Sequence, residues 1–342
     1  MLQGLSGVPA EATTQATNIA SKVLRLLDQP YLLDGHQHQG SGSIGIALFN
    51  KEHELVEELL KRADLAQYRA KSAGGGTFRF FDPDMQAKAA SRAALERDLR
   101  KAIPQGQLLL HYQPQVDEAG NLTGCEGLLR WEHPERGLLY PMDFIVSAEE
   151  HGIIESIGPW VIETACKQLA KWSSKSETSQ LSLSVNVSAR ELGHPDFVPL
   201  TIRSLEETGA DPSKLTLELT ERVMFGSLEE TLLKMSTLKA FGLSFALDDF
   251  GIGFSSLACL RTLPISQIKL DRSFVSDVVN NHSDGVIASA VIALGKDLGM
   301  SVIAEGIETE EQWRFLSKHG CRMYQGFLFG IPKPVEQLSF RI

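Results

Sequence analysis

Residues 214–249 read KLTLELTERVMFGSLEETLLKMSTLKAFGLSFALDD, a strand, a helical stretch and a second strand in one run. In the first strand Leu215, Leu217 and Leu219 alternate with Thr216, Glu218 and Thr220; in the second, Leu243, Phe245 and Leu247 oppose Ser244 and Asp248. Period-two alternation sends one set to one face of a sheet and the other set to the opposite face. The same pattern recurs on both sides of this run. Further strands are read in LLLHYQPQV from Leu108, LTGCEGLLRW from Leu122, LSLSVNVS from Leu181, ISQIKLD from Ile265, MSVIAEG from Met300 and CRMYQGFLF from Cys321. Helical patterns fill most of the gaps, as with Ile287, Val291, Leu294 and Leu298. Strand–helix alternation sustained over roughly 250 residues predicts an α/β protein built on a closed (β/α)8 TIM-type barrel. An open doubly wound sheet is the alternative, but it lacks its usual Gly-rich strand-to-helix turn here.

In such a barrel one set of side chains packs against the outer helices and the other lies inside. Asn186, Glu218, Asp248 and Glu305 then point inward near the C-terminal ends of their strands, the face that carries active sites in this architecture. Carboxylates converging in a confined space repel each other and resist desolvation, so a divalent metal is the natural compensation. An all-oxygen set of Glu, Asn and Asp suits Mg²⁺ or Mn²⁺ better than zinc. Asp248 and Asp249 are adjacent and can serve one site only where the strand turns into a loop, which Gly251 and Gly253 permit. Two such acids suit a pair of ions that clamp attacking and leaving oxygens. Lys269 is an inward cation two residues before Asp271, either a buried ion-pair partner or a group that orients a water or a phosphate. Arg130, four residues after Glu126, is read as a phosphate clamp or a rim residue.

The composition narrows the remaining classes. A formal net charge of −10 argues against a protein that grips duplex DNA or RNA through a broad basic face. Cys125, Cys166, Cys259 and Cys321 show no paired spacing and are read as reduced. The nine histidines have no ligand spacing, and neither a Gly-x-Ser-x-Gly elbow nor a P-loop occurs. No apolar run approaches the roughly 18 residues that span a bilayer, and the first residues do not read as a signal peptide. A cytoplasmic location is expected, either alone or as the cytoplasmic part of a longer, membrane-anchored protein.

Ahead of the barrel, residues 1–82 read as a small α/β fragment. Ile19, Val23, Leu26 and Leu27 form a helical stripe, Asp34-Gly35 a turn, and Ser43–Phe49 a buried strand. Residues 54–72 read as a helix and Thr77–Phe81 as a returning strand. Residues 83–103 are expected to be a linker helix, and 104–342 the barrel.

The barrel segments resemble the EAL domain family. The resemblance rests on Glu126-Gly127-Leu128 with Arg130, Val185-Asn186-Val187-Ser188, Glu218-Leu219-Thr220-Glu221, Asp248-Asp249-Phe250-Gly251 with Ser255, Ile268-Lys269-Leu270-Asp271, Ala304-Glu305-Gly306-Ile307-Glu308 and Gln325-Gly326, in the family's order. It implies a modified barrel that hydrolyses cyclic di-GMP to linear pGpG with Mg²⁺ or Mn²⁺, two ions being expected. Carried over by position, Glu126, Asn186, Glu218, Asp248, Asp249 and Glu305 bind metal. Lys269 and Glu305 take part in catalysis, Lys269 by placing the water. Glu221 holds the loop from Asp249 to Ser255. Gln113, Leu128, Arg130, Glu308 and Gln325 contact or support the nucleotide. Gly127 departs from the signature, which has alanine there. A homodimer through the barrel is also implied. Residues 1–82 resemble the latter part of a GGDEF domain without its cyclase turn, so cyclase activity is not expected. The competing reading is a non-catalytic cyclic di-GMP receptor that signals through the linker helix.

Overall fold

The computed structural model describes residues 4–338 except 34–35, 50–54, 222, 224–226, 252–259 and 261. The chain divides into two compact units, Met1–Arg97 and Asp98–Ile342.

In the first unit the helix Pro9–Leu27 opens with proline in its first turn, where the missing N–H costs no intrahelical bond. Strands β1 (Tyr31–Leu33) and β2 (His36–His38) form an antiparallel pair. Strand β3 (Ile44–Ile46) runs parallel to β4 (Phe78–Phe80), with the helix Val56–Ser72 between them in sequence. That helix lies directly on the strand backbone: a Cβ at Gly45 would stand 1.9 Å from the carbonyl oxygen of Ala63. The buried strand expected over Ser43–Phe49 is only three residues long and half-buried. A two-stranded sheet gives β3 one strand neighbour, too little to cover both faces. The turn expected at Asp34-Gly35 lies outside the described residues. The helix Pro83–Ala102 follows, and the division between the units falls inside it.

The second unit is the expected barrel. Its strands are β5 (Leu108–Asp117), β6 (Leu122–His133), β7 (Gly137–Leu139), β8 (Ser182–Val187), β9 (Leu215–Thr220), β10 (Ser244–Phe250), β11 (Gln267–Leu270), β12 (Ser301–Ala304) and β13 (Met323–Gln325). They are ordered β5-β13-β12-β11-β10-β9-β8-β6, and pairing of β5 with β6 closes the ring; β7 is a flap on β6. All eight strands read from the sequence are in the ring. The modification is β5, which runs antiparallel to both neighbours. Its link to β6 is a short turn in which Asp117 Oδ1 accepts the N–H groups of Ala119 and Asn121. A connection that short can reverse the chain but cannot make a parallel crossover.

Alternation along the strands sorts the side chains as expected. Leu183, Val185, Leu215, Leu217, Phe245, Leu247, Ile268 and Leu270 are buried between strands and outer helices. Each such side chain contributes about 1.5–3 kcal/mol relative to exposure. The helices carry matching end signals. Ser227, Asn281 and Thr309 accept first-turn N–H groups of the helices Leu228–Phe241, His282–Asp297 and Glu310–Lys318. Among the described residues no helix is long and apolar enough to cross a membrane.

Candidate active site

Side chains from β6, β9, β10 and the end of β12 meet at Lys269 of β11, whose side chain is 1% exposed. Its Nζ lies 2.5 Å from Glu218 Oε2, 2.7 Å from Glu305 Oε1, and 3.3 Å from both Glu126 Oε2 and Asp248 Oδ1. Register explains the convergence. Glu218 is paired with Asn186 on β8 and with Ala246 on β10, two residues before Asp248. Lys269 sits one residue short of the end of β11, and Glu305 directly follows β12.

Beside this cluster lies a row of amides, of which Gln113, Gln115 and Gln325 are buried and Asn186 is exposed. Glu126 Oε1 accepts Asn186 Nδ2–H at 2.7 Å, and Glu126 Oε2 accepts Gln325 Nε2–H at 2.5 Å. The same Gln325 nitrogen donates to Gln113 Oε1 at 3.0 Å, and Gln113 donates to the Gly330 carbonyl. On the other side Gln115 Nε2 donates to Gln325 Oε1 at 2.9 Å and to Ser184 Oγ at 3.3 Å. The close seat of Gln325 depends on Gly326, where a Cβ would come within 2.2 Å of the Ile307 backbone.

The turn expected at the paired aspartates takes a specific form. Asp249 has φ +54°, a left-handed conformation that Asp tolerates better than branched residues do. The β10–β11 register shifts between Leu247 and Phe250. Asp249 N–H donates to Asp248 Oδ1, and Glu221 Oε1 accepts the N–H of Gly251 at 3.3 Å. Glu221 thus meets the start of the loop assigned to it; Ser255 and Gly253 lie outside the described residues.

The remaining sequence candidates are less closely tied to the cluster. Leu128 is half-buried on the inner row of β6, between Glu126 and Arg130. Arg130 is buried; its Nη1 donates to the Leu129 carbonyl and its guanidinium lies 4.9 Å from the centre of the Tyr140 ring. Its Nε has no hydrogen-bond partner among the described residues. Glu308 is exposed three residues beyond Glu305, and its N–H is held by Gln312 Oε1. At Gly127 an added Cβ would meet Val185 Cγ1 at 3.2 Å, so the wall there is already filled by its neighbour. Sequence reasoning missed Gln115 and Tyr140. Gln115 shares the inner row of β5 with Gln113, which was a usable signal; nothing local marks Tyr140.

The electrostatics are strongly unbalanced. Four carboxylates face one ammonium. Burial opposes charge on Lys269, but attraction to Glu126, Glu218, Glu305 and Asp248 outweighs it and holds the amine protonated far above its usual range. Burial, then repulsion from Glu126, drives Glu218 well above the usual carboxylate range. Burial raises Glu305 to about 8 against the pull of Lys269. Glu126 moves the other way: burial is outweighed by Lys269 and by its amide donors, so it stays ionised. Among the described residues no three acids, histidines or cysteines stand ready-spaced around an ion, and Lys269 occupies the centre. Yet Glu218 Oε1 is fully buried without a hydrogen-bond partner among the described residues. An orphaned carboxylate oxygen in an acid-rich, all-oxygen set fits a hard divalent cation.

Comparison with known proteins places this geometry. Residues 96–332 match the family described as EAL domain, and residues 4–77 match diguanylate cyclase, GGDEF domain. The bifunctional diguanylate cyclase/cyclic di-GMP phosphodiesterase MucR of Pseudomonas aeruginosa is 40% identical over 332 residues, which cover 97% of this chain and 48% of MucR. The cyclic di-GMP phosphodiesterase PdeR of Escherichia coli is 37% identical over 92% of this chain and 48% of its own length. The chain thus spans about half the length of these relatives. A solved structure of the PaMucR phosphodiesterase in complex with c-di-GMP is 41% identical, with a TM-score of 0.69 over 72% of this chain and all of that one. The chain belongs to the EAL domain family and carries a GGDEF-family segment ahead of the barrel.

Proposed function

We propose that this chain is a metal-dependent phosphodiesterase that hydrolyses cyclic di-GMP to linear pGpG. The observation that carries the proposal is the Lys269 cluster, in which buried acids exceed their one cation and Glu218 Oε1 has no hydrogen-bond partner among the described residues. Kinship with phosphodiesterases of this substrate supports it.

Glu126, Asn186, Glu218, Asp248, Asp249 and Glu305 would hold Mg²⁺ or Mn²⁺, with two ions expected from the two adjacent aspartates. When bound, such ions acidify water and neutralise charge on a phosphoryl group. The reaction adds water across one P–O bond: the water oxygen joins phosphorus, the bond to the 3′ oxygen breaks, and that oxygen leaves with a proton. Lys269 and Glu305 are assigned to the water, Lys269 as a fixed donor and Glu305 as the carboxylate held 2.7 Å from it. Arg130 is assigned to a phosphate through its Nε–H, which has no hydrogen-bond partner among the described residues, with Tyr140 holding its plane. Gln113 and Leu128 line the nucleotide, Gln325 and Glu308 support it, and Glu221 steadies the loop that begins at Asp249.

The partition into a fragment over 1–82, a linker helix over 83–103 and a barrel over 104–342 belongs to the same reading, as does pairing of two barrels. So does work inside the cytoplasm. The test is incubation with cyclic di-GMP and Mg²⁺ or Mn²⁺, with and without chelator, followed by separation of nucleotides. Metal-dependent appearance of pGpG is expected. Measurable binding with no pGpG would replace this reading with that of a receptor.

A further inference from the structure

We infer that Gln115 is a positioning residue for the metal site, acting on Glu126 through the side-chain amide of Gln325. The inference rests on the phosphodiesterase reading of the same site, and it concerns a residue outside the set assigned above.

Its basis is hydrogen-bond polarity. Gln325 Nε2 faces two acceptors, Glu126 Oε2 at 2.5 Å and Gln113 Oε1 at 3.0 Å, and Gln113 spends its own Nε2–H on the Gly330 carbonyl, so the end of Gln325 turned toward Glu126 is the NH₂ group. That leaves Gln325 Oε1 pointing away, into a region where both glutamines are 4% exposed. A buried carbonyl oxygen there needs a donor, and Gln115 Nε2–H supplies it at 2.9 Å. The second proton of Gln115 Nε2 goes to Ser184 Oγ at 3.3 Å, which fixes the Gln115 amide in turn.

The backbone makes this line possible. Gln115 and Gln325 are directly opposed in the antiparallel β5–β13 pairing, and Ser184 is the register partner of Glu126 on β8. On β6, Gly124 stands opposite Gln115, and an added Cβ there would meet Ser182 Oγ at 2.4 Å. Were Gln115 unable to donate, Gln325 would either bury an unsatisfied oxygen or turn that oxygen toward the Glu126 carboxylate. Both alternatives loosen Glu126, leaving it Asn186 on one oxygen and the more distant Lys269 on the other. Outer partners of this kind orient metal ligands and tune their affinity.

The experiment uses the full chain and Mn²⁺ alone, read by the resonance of the free ion without nucleotide. Gln115→Met keeps length and volume but donates nothing. It is expected to weaken Mn²⁺ binding about ten-fold and to have no further effect in a Gln325→Leu background. Gln115→Leu serves the same cycle if the methionine variant fails to show a cooperative thermal transition. The side-chain amide signal of Gln325, identified by its loss in Gln325→Leu, should shift in Gln115→Met whether or not the wild type holds Mn²⁺. Affinity within two-fold of wild type, effects of the two substitutions that add, or an unmoved Gln325 amide signal would each overturn the inference. Hydrolysis is followed in parallel on the wild type. Absence of pGpG there sinks the phosphodiesterase reading, while the amide signal still reports on Gln115.

Discussion

Lys269 Nζ lies 2.5 Å from Glu218 Oε2, in a pair whose two side chains are 1% and 0% exposed. The pair is not a balanced salt bridge. Glu218 also faces Glu126, Asp248 and Glu305, whose repulsion adds to burial in raising its proton affinity. Lys269 is thus the hub against which neighbouring strands bring their acids, and the site is under electrostatic tension before any ligand arrives.

Removing the hub should therefore be costly. Lys269→Met leaves a buried acid cluster with no internal cation and is expected to destabilise the chelated protein by about 3–5 kcal/mol. Mg²⁺ or Mn²⁺ at about 100 times its Kd should restore roughly 2.7 kcal/mol. Urea denaturation with and without chelator reads both effects. Equal stability of variant and wild type in chelator would contradict the hub role. Hydrolysis of cyclic di-GMP by the variant is expected to fall by about 10²-fold or more, since a positioned donor is lost.

Asp249 separates backbone shape from charge. Its φ of +54° suits Asn as well as Asp, so Asp249→Asn should keep stability within about 1 kcal/mol. Loss of the negative charge should nonetheless weaken Mn²⁺ binding and turnover. Asp249→Val, β-branched at a left-handed position, is expected to cost about 1–3 kcal/mol. Thermal melts alongside Mn²⁺ titration distinguish the two effects; an Asn variant with undiminished Mn²⁺ affinity would remove Asp249 from the ligand set.

Gly326 sets how closely the last strand approaches the segment after Glu305. An alanine methyl there would fall 2.1 Å from the Ile307 carbonyl oxygen and 2.2 Å from its nitrogen, both backbone atoms. Gly326→Ala is expected to destabilise the protein by about 3 kcal/mol and to pull Gln325 from Glu126. Chemical denaturation measures the first effect, and the Gln325 amide signal the second. A variant with wild-type stability and signal would show that the segment can yield.

Glu191 gives a pH dependence away from the metal site. Its Oε2 accepts the Ser188 N–H at 2.7 Å, and Oε1 is wedged against Gly158. Burial, with repulsion from Glu149 and against the Ser188 hydrogen bonds, raises it from 4.5 to about 7. Because the folded value is raised, Glu191 does not destabilise the fold below pH 4.5, where both states are protonated. Stability is lost as pH rises through about 7, by up to about 3 kcal/mol at 1.36 kcal/mol per unit. Glu191→Gln should flatten that slope and stabilise the protein at pH 8. Parallel urea curves at pH 5 and pH 8 test it; an unchanged slope in the variant would assign the pH dependence elsewhere.

The sequence by itself determined the strands, their inward rows and the acids among them. Period-two alternation is local, and a leucine opposite a glutamate reads the same in any neighbourhood. The ordered motifs gave the family for the same reason. Local pattern did not give the length of β3, because burial there depends on how many strands stand beside it. It also missed Tyr140 over Arg130, and the polarity of the line from Ser184 through Gln115 and Gln325 to Glu126. The groups of that line come from strands up to 210 residues apart, and only barrel closure brings them into register. Lys269 shows the division clearly: its side of the strand was legible in ISQIKLD, but the four carboxylates around it were decided by the pairing of neighbouring strands.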